Sequence, residues 1–422
     1  MDKINSLRGM PDFYSDALIS WTPVENKLEE IFRAFSISEI RTPIMEYTDL
    51  FKRSVGDTSD IVNKEIYSFN DRNDQSISLR PEGTAGVIRS VIEKKLDQQQ
   101  SKFWYMGPMF RYERPQKGRS RQFHQFSAEA FGLKSPEIDA ELIIMSSRIW
   151  KNLGIYEDLR LEINNLGNET TRNMFSEALV QFLKKNKDKL DEETIRKMSE
   201  NPLRILDSKS SLIQNLLKKG PSIDDYLDDE AKIFQTKLLG LLDRAKIKYT
   251  VNRQLVRGLD YYNQTVFEWK TNLLGSQDTV LGGGRYDSLV EELGGKPCPA
   301  IGFSIGMERL LLLLREKGKL EKFSSLDIYF LCFNETATQE AIMYSENLKE
   351  HFPDLNIKIN LGLESASSQF KKADKSNARM ALILGEDELN NDKISYKDLR
   401  TKSDQESLTF QDLLIKLKQL YK

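Results

Sequence analysis

Cysteine and histidine are scarce in this 422-residue chain: Cys298, Cys332, His124 and His351 are all it has. Two cysteines rule out a disulfide framework. Four soft ligands scattered over that length leave no Cys/His zinc site. His124 has no Gly-x-Ser-x-Gly turn to serve, which argues against a Ser–His–Asp hydrolase. The Gly-Lys pairs at 295–296 and 318–319 are followed by Pro297 and Leu320 rather than Ser or Thr, so a phosphate loop is missing too. Apolar runs stay short, as at 310–314, against the roughly 18 residues a membrane span needs. The opening MDKINSLRGMPDF lacks an apolar h-region. The expectation is a cytoplasmic protein with no membrane partner. Nor does charge of one sign dominate: 62 basic against 64 acidic residues give −2, so no global field announces a polyanion.

What is present describes a globular protein. It has 39% hydrophobic and 30% charged residues, too apolar for a disordered chain and ample for a core. At about 100–200 residues per domain the length allows two to four domains. Residues 1–160 alternate short strand patterns with amphipathic helices at 21–35, 84–95 and 138–153. Residues 41–45 read as a strand whose Pro43 confines it to an edge or an interface. A strand-rich stretch covers 103–131. From 169 to 246 the pattern turns helical and polar, a helical insertion, before strand and glycine signals return at 249–269 and 280–305. A polar break at 315–325 precedes a buried-strand pattern from Asp327. Strands then alternate with helices to the end, which predicts a separate α/β domain with a mainly parallel sheet.

Four segments carry chemistry. The first is a hairpin: Phe110, Arg111, Tyr112 and Glu113, a loop at 114–121, and a returning strand at 122–131. Strand side chains alternate, so Arg111 shares a face with Glu113, and Phe123 with Gln125, Ser127 and Glu129. Such a face buries several polar groups unless a ligand pairs with them. The loop cations Arg114, Lys117, Arg119 and Arg121 suit a phosphate, although a solvated basic hairpin reads equally well. The second segment, Leu79-Arg80-Pro81-Glu82-Gly83-Thr84-Ala85, presents Glu82 and a hydroxyl either to an ammonium group or as the acidic start of a helix. The third runs from Leu255 through Arg257, Gly258, Asp260, Tyr261 and Tyr262 into a strand at 265–269. Arg257 can grip carboxylate or phosphate bidentately, whereas the tyrosines also suit a core. In the fourth, Gly282-Gly283-Gly284-Arg285-Tyr286-Asp287 precedes a glycine-punctuated strand at 302–306 and a Leu-rich helix with Arg309 in its first turn. That end is open to a flat base or a phosphate, or is simply a buried helix with a capping glycine.

Taken together and in this order, the segments resemble the histidyl-tRNA synthetases, a family of class II aminoacyl-tRNA synthetases, over nearly the whole chain and least in the helical insertion. Residues 39–52 are similar to the first class II motif, with Pro43 at the dimer interface, 110–131 to the second and 302–310 to the third. LRPEGTA and LVRGLDYYNQTVFEW are similar to the segments that set the histidine enzymes apart. Ser120 departs from the aromatic or bulky residue usual in the hairpin loop, which bears only on acceptor-end contacts. Lys197-Met198-Ser199 matches the class I tripeptide, but neither histidine is followed by Ile-Gly-His, so it reads as part of a polar helix.

The resemblance implies a fold and a reaction. The fold is an α/β (α+β) catalytic domain over 1–322, an antiparallel sheet flanked by helices and interrupted by the insertion at about 169–246, with an α/β anticodon-binding domain over 326–422. The reaction is ATP-dependent activation of L-histidine to histidyl-adenylate and its transfer to the 3′ end of tRNA(His), by a homodimer. Glu82, Thr84 and Gln125 would hold the ammonium group. Glu129 and Tyr262 would take the two imidazole nitrogens, with Tyr261 alongside. Arg111 and Arg257 would be catalytic, bracketing the carboxylate and the α-phosphate. Arg111, Glu113, Phe123 and Arg309 would bind ATP, Glu113 at the adenine edge, and Mg2+ would come with the triphosphate rather than sit on dedicated ligands. Gln116, Arg119 and Arg121 would meet the tRNA acceptor end. Lys371, Lys375 and Arg379, at i, i+4 and i+8 toward one helix face, would contact tRNA locally, because 326–422 carries 13 basic against 16 acidic residues. A site that bonds both imidazole nitrogens rejects other side chains by about 10⁴–10⁵, which makes an editing domain unnecessary. The rival is a non-catalytic, synthetase-like regulatory subunit of histidine biosynthesis. It predicts eroded ATP and tRNA residues and a missing C-terminal domain, whereas Arg111, Arg257, Arg309 and residues 326–422 are all here.

Overall fold

The computed structural model describes residues 3–14, 16–56, 61–208, 210–275, 278–320, 326–362, 364–401 and 403–421. It divides into two compact units, residues 1–321 and 322–422. The polar break at 315–325 lies partly outside the described residues.

The first unit begins with α1 (Asp16–Ala34), β1 (Ser38–Glu39), β2 (Met45–Tyr47), α2 (Thr48–Val55), β3 (Tyr67–Asn70), β4 (Ser76–Leu79) and α3 (Thr84–Glu93). A long hairpin, β5 (Ser101–Phe110) and β6 (Gln122–Phe131), leads to α4 (Pro136–Asn152) and β7 (Arg160–Asn165). Four helices follow without a strand between them: α5 (Glu169–Lys184), α6 (Glu192–Glu200), α7 (Ser211–Leu217) and α8 (Asp229–Arg244). The unit closes with β8 (Tyr249–Val251), β9 (Asn263–Lys270), β10 (Thr279–Arg285), α9 (Leu289–Glu292), β11 (Ala300–Gly306) and α10 (Met307–Glu316). Its large sheet has the order β1-β5-β6-β11-β10-β9-β7-β8, parallel only at the outer pairs β1–β5 and β7–β8. A smaller sheet, β2-β4-β3, stands apart from it.

Alternation along β6 decides what each face of the large sheet does. Phe126, Ala128 and Ala130 point into a core shared with α1, α4 and α10, where the Phe32 and Phe126 rings lie 5.2 Å apart. Burial of that face, at about 25 cal/mol per Å², holds Gln125, Ser127 and Glu129 on the other. There a second core joins α3 to Tyr105, Tyr261, Tyr262 and Tyr286. Arg285 and Asp139 form a fully buried ion pair at 2.7 Å; Arg285 also pairs with the half-buried Asp287 at 3.1 Å and donates to the carbonyls of Leu133 and Ser135. Burial pushes Asp139 up to about 6 despite Arg285, so the guanidinium needs each of these acceptors. Asp287 in turn accepts from Ala300 N at 2.9 Å, which fixes where Tyr286 stands between them.

Two local expectations are corrected. Residues 41–44 are not a strand; pairing starts at Met45, because Pro43 has no N–H to donate. Arg111 and Glu113 are not strand residues either: β5 stops at Phe110 and 111–121 is irregular. Arg111 N still donates to Arg121 O at 2.8 Å, which keeps the loop narrow.

In the second unit β12 (Ile328–Cys332), α11 (Glu335–His351), β13 (Ile357–Ile359), α12 (Ala366–Lys375) and β14 (Met380–Leu384) are followed by α13 (Glu386–Asn390), β15 (Ile394–Asp398), β16 (Glu406–Leu408) and α14 (Phe410–Leu420). The sheet order is β13-β12-β14-β15-β16. β13, β12 and β14 run parallel, β15 pairs antiparallel with β14 and β16 antiparallel with β15, so four of the five strands share one direction and β15 alone is reversed. The link after β14 holds only the five-residue α13, too short for the crossover a parallel partner requires.

Candidate active site

Glu129 sits 2% exposed beside the first unit's second core. Thr84 Oγ1 donates to its Oε1 at 2.8 Å, Tyr105 OH donates to the same oxygen at 3.2 Å, and Tyr286 OH donates to Oε2. Its cross-strand partner on β11 is Gly302, and any Cβ there would overlap Oε2. The glycine is what gives the carboxylate its slot. Burial pushes Glu129 up to about 8, with the three hydroxyls pulling it down and the nearby Glu82 adding repulsion.

Glu82 is also buried, and its oxygens accept from Thr84 N at 2.7 Å and Ala85 N at 2.9 Å. It caps α3, satisfying two of the amides a helix start leaves open, while burial raises its pKa. The rings of Tyr261 and Tyr262 lie tilted to each other 4.7 Å apart and stand 5.6 Å and 6.4 Å from Tyr286, forming an aromatic wall beside Glu129.

Next to this wall opens a cavity of about 330 Å³, lined by Arg111, Glu113, Phe123, Gln125, Arg257 and Arg309 among others. Arg257 lies 5.7 Å over the Tyr262 ring and pairs with Glu268. Burial works against its charge, but Glu268 together with Tyr262 and Tyr261 outweighs that and raises its pKa. Glu268 also accepts from Thr279 Oγ1 and pairs with Lys270, both at 3.1 Å. A Cβ at Gly282 would overlap the Arg257 guanidinium, so this glycine of β10 admits the arginine onto the sheet. Two buried atoms at the cavity have no hydrogen-bond partner among the described residues: Gln125 Oε1, an acceptor, and Arg257 Nε, a donor. Arg111 donates from Nε to Pro81 O at 2.9 Å, with its guanidinium 5.2 Å over Phe123. Arg309 donates to Thr279 O at 2.9 Å.

The hairpin loop is internally paired. Arg119 meets Glu113 at 2.5 Å and Gln116 through two backbone bonds, and Arg121 lies 3.8 Å over the Tyr112 ring. His124 serves no nucleophile: its Nδ1 is 3.0 Å from Glu308, whose carboxylate also accepts from His124 N, tying β6 to the start of α10 beside Arg309. In the second unit Lys371 and Lys375 are exposed on α12. Arg379 is not on that helix, which ends at Lys375; Asn377 turns at φ 57° and Arg379 packs over Tyr421 at 5.2 Å. The i+8 spacing therefore does not place three cations on one helix face.

Residue by residue the sequence reading missed Tyr105, Tyr286 and Glu268. Tyr105 shares the face of Glu129 by alternation across the β5–β6 pair, a signal that was there to find. Tyr286 and Glu268 reach their partners only through the sheet.

The buried carboxyl has a measurable consequence. Glu129 takes up a proton more readily in the folded chain than in the unfolded one, so its share of stability is present below about 4.5 and is lost as pH rises toward about 8. Glu129→Gln removes that share. Urea titration of the ligand-free protein across pH 5–8 should give a shallower fall in unfolding free energy for the variant; equal slopes would contradict the placement of Glu129.

With this geometry in place, comparison with known proteins is direct. A family model described as Histidyl-tRNA synthetase matches residues 9–310, and one described as Anticodon binding domain matches 327–420. The chain is 46% identical over 417 residues to the histidine–tRNA ligase of Hydrogenovibrio crunogenus, across 99% of this chain and 98% of that protein. The apo histidyl-tRNA synthetase of S. aureus is similar in structure, with a TM-score of 0.80 at 34% identity over 99% of this chain and 100% of that one. A Bacillus halodurans protein described as an ATP phosphoribosyltransferase regulatory subunit/histidyl-tRNA synthetase shares the fold, with a TM-score of 0.64 at 19% identity over 88% of this chain and 97% of that one. Matched by the family model over most of its first unit and by a close relative along almost its full length, the chain belongs to the histidyl-tRNA synthetase family.

Proposed function

We propose that this chain is a cytoplasmic histidine–tRNA ligase: it activates L-histidine with ATP to histidyl-adenylate and passes the histidyl group to the 3′ end of tRNA(His). The observation that carries this reading is the pair of unsatisfied buried atoms at the cavity, Gln125 Oε1 and Arg257 Nε. Leaving either unpaired costs about 1–3 kcal/mol. An α-amino acid answers both, its ammonium donating to Gln125 and its carboxylate accepting from Arg257. Glu82 adds a carboxylate near the ammonium end, and Thr84 contributes by holding Glu129.

The side-chain pocket supports histidine. Two hydroxyls already use Oε1 of Glu129 and one uses Oε2. Once ionised, which an incoming ring N–H favours, the carboxyl has about four acceptor sites, so one is left on Oε2 for that N–H. The hydroxyl of Tyr262 then suits the other ring nitrogen. At the reacting centre, Arg111 and Arg257 face the position where carboxylate oxygen attacks the α-phosphorus and pyrophosphate leaves. Fixed guanidinium groups stabilise that charge without reorganisation. Phe123 and Arg309 offer the adenine two flat faces, with Glu113 at its edge once Arg119 yields it.

Mg2+ fits this cavity in one way only. Among the described residues no three His, Cys, Asp or Glu side chains converge. The donor set therefore suits an ion that arrives on the triphosphate and takes one or two wall carboxylates at most, Glu268 or Asp278. When bound, it would neutralise phosphate charge; positioning stays with the arginines. The second unit, matched by an anticodon-binding model, would use Lys371 and Lys375 toward tRNA.

A homodimer is part of the proposal. Directly paired residues of β2-β4-β3 put Met45, Tyr47, Tyr67, Phe69, Ile77 and Leu79 on one face, with Met45, Tyr47 and Phe69 exposed by 51%, 61% and 47%. The opposite face carries hydroxyls bonded to each other, Ser68 to Ser78 at 2.7 Å and Thr48 to Ser78 at 2.9 Å. A sheet with its apolar side outward is built for a partner, and a two-fold pair of these faces satisfies both copies.

ATP–pyrophosphate exchange across the twenty amino acids tests the reaction: histidine alone should support it, and Arg257→Ala should lower it by about 10²-fold or more with an unchanged circular dichroism spectrum. Exchange with several amino acids, or none, would remove the proposal. For the dimer, Tyr47→Lys should shift sedimentation from dimer to monomer; a monomeric parent protein would overturn that part.

A further inference from the structure

The loop between β5 and β6 does not stand alone. The N-terminal segment crosses it: Gly9 O accepts from Arg121 N at 2.7 Å and from Gln122 N at 3.2 Å, and a turn from Leu7 O to Met10 N, 3.0 Å, bends the segment over the loop. Between the two lies an open groove of about 470 Å³, walled by Leu7 and Arg8 on one side and Gln116 and Arg119 on the other. Arg119 and Ser120 line this groove and the 330 Å³ cavity alike, so the two adjoin.

Charge tells the groove's purpose. Lys117 is taken by Glu316 at 3.0 Å, Arg119 by Glu113 at 2.5 Å, and Arg121 is stacked on Tyr112 with its Nε donating to Glu113 O at 3.3 Å. The loop's cations are largely spent holding the loop. Arg8 is exposed, lines the groove and has no acidic partner among the described residues. Beside it Leu7 is 71% exposed, apolar surface next to a lone cation. That combination fits a sugar–phosphate chain, which needs a cation for each phosphate and tolerates apolar contact at ribose and base.

We infer that residues 6–11 form the second wall of a groove for the acceptor arm of tRNA, with Arg8 holding a backbone phosphate outside the cavity. This rests on the tRNA-charging reading and extends it to a segment at the other end of the sequence from the anticodon-binding unit. A strand whose 3′ end lies in the cavity leaves it past Ser120 and Arg119 and meets Arg8 next.

The test uses the full-length protein, a tRNA(His) transcript, and Arg8→Ala beside Arg8→Lys. Pyrophosphate exchange needs no tRNA and serves as the internal reference. Arg8→Ala should raise the KM for tRNA in aminoacylation about tenfold and reduce the slope of log Kd against log salt by about one, with exchange as in the parent. Arg8→Lys should keep most of the affinity, because a phosphate needs the charge. An unchanged KM and slope in Arg8→Ala would overturn the inference, as would a parallel loss of exchange, which would mean that the segment only props up the loop. A parent protein that exchanges with histidine but shows no effect of Arg8 leaves the ligase reading standing; a parent that exchanges with no amino acid sinks that reading instead.

Discussion

The arrangement rests on a carboxylate kept where water cannot reach it. Glu129 can stay buried only because three hydroxyls donate to it and because β11 offers no side chain opposite. Each of those donors is placed by a different part of the chain: Thr84 by the start of α3, Tyr105 by β5, Tyr286 by the turn after β10. Thr84 is fixed by Glu82, which caps its helix, and Tyr286 is flanked by Arg285 and Asp287, with Arg285 held to α4 by its fully buried pair with Asp139. Most of the sheet's length is therefore committed to the orientation of one side chain.

One face of the sheet holds two kinds of electrostatics side by side. On the Glu129 side, aromatic walls keep the dielectric low, and a group that meets its last acceptor site gains accordingly. On the cavity side, Arg111, Arg257 and Arg309 stand around open space, each steadied by a carbonyl or a carboxylate rather than by a ligand. Glu268 is the hinge of that side. It helps keep Arg257 charged, and Arg257 Nε is left without a hydrogen-bond partner among the described residues.

Much of this was legible in the chain because period-two alternation is a local property. Phe123, Gln125, Ser127 and Glu129 fall on one face whatever the rest does, and Arg309 follows from a glycine-rich strand running into a Leu-rich helix. Contacts that close over long sequence distances were not legible. Tyr286 is 157 residues from Glu129, and nothing near it in sequence marks it off from a core tyrosine. Glu82 carried two readings until its distances to Thr84 N and Ala85 N placed it as a cap, a role that leaves its second lone pairs open. Where spacing alone was trusted it failed for a backbone reason: Lys371, Lys375 and Arg379 share a helical period, but Asn377 adopts a left-handed turn between them. The reversal of β15 in the C-terminal sheet also has a backbone cause, a connection after β14 too short to cross over.

The central claim is that one ring is held at both nitrogens, by the remaining site on Glu129 and by the Tyr262 hydroxyl. Calorimetric titration with histidine and with its two N-methyl isomers tests it most directly. Methylation at either nitrogen removes one bond and leaves its buried protein partner unpaired, so both isomers should bind about 10–100-fold more weakly than histidine. If either isomer binds as tightly as histidine, that nitrogen is not gripped and the account is wrong.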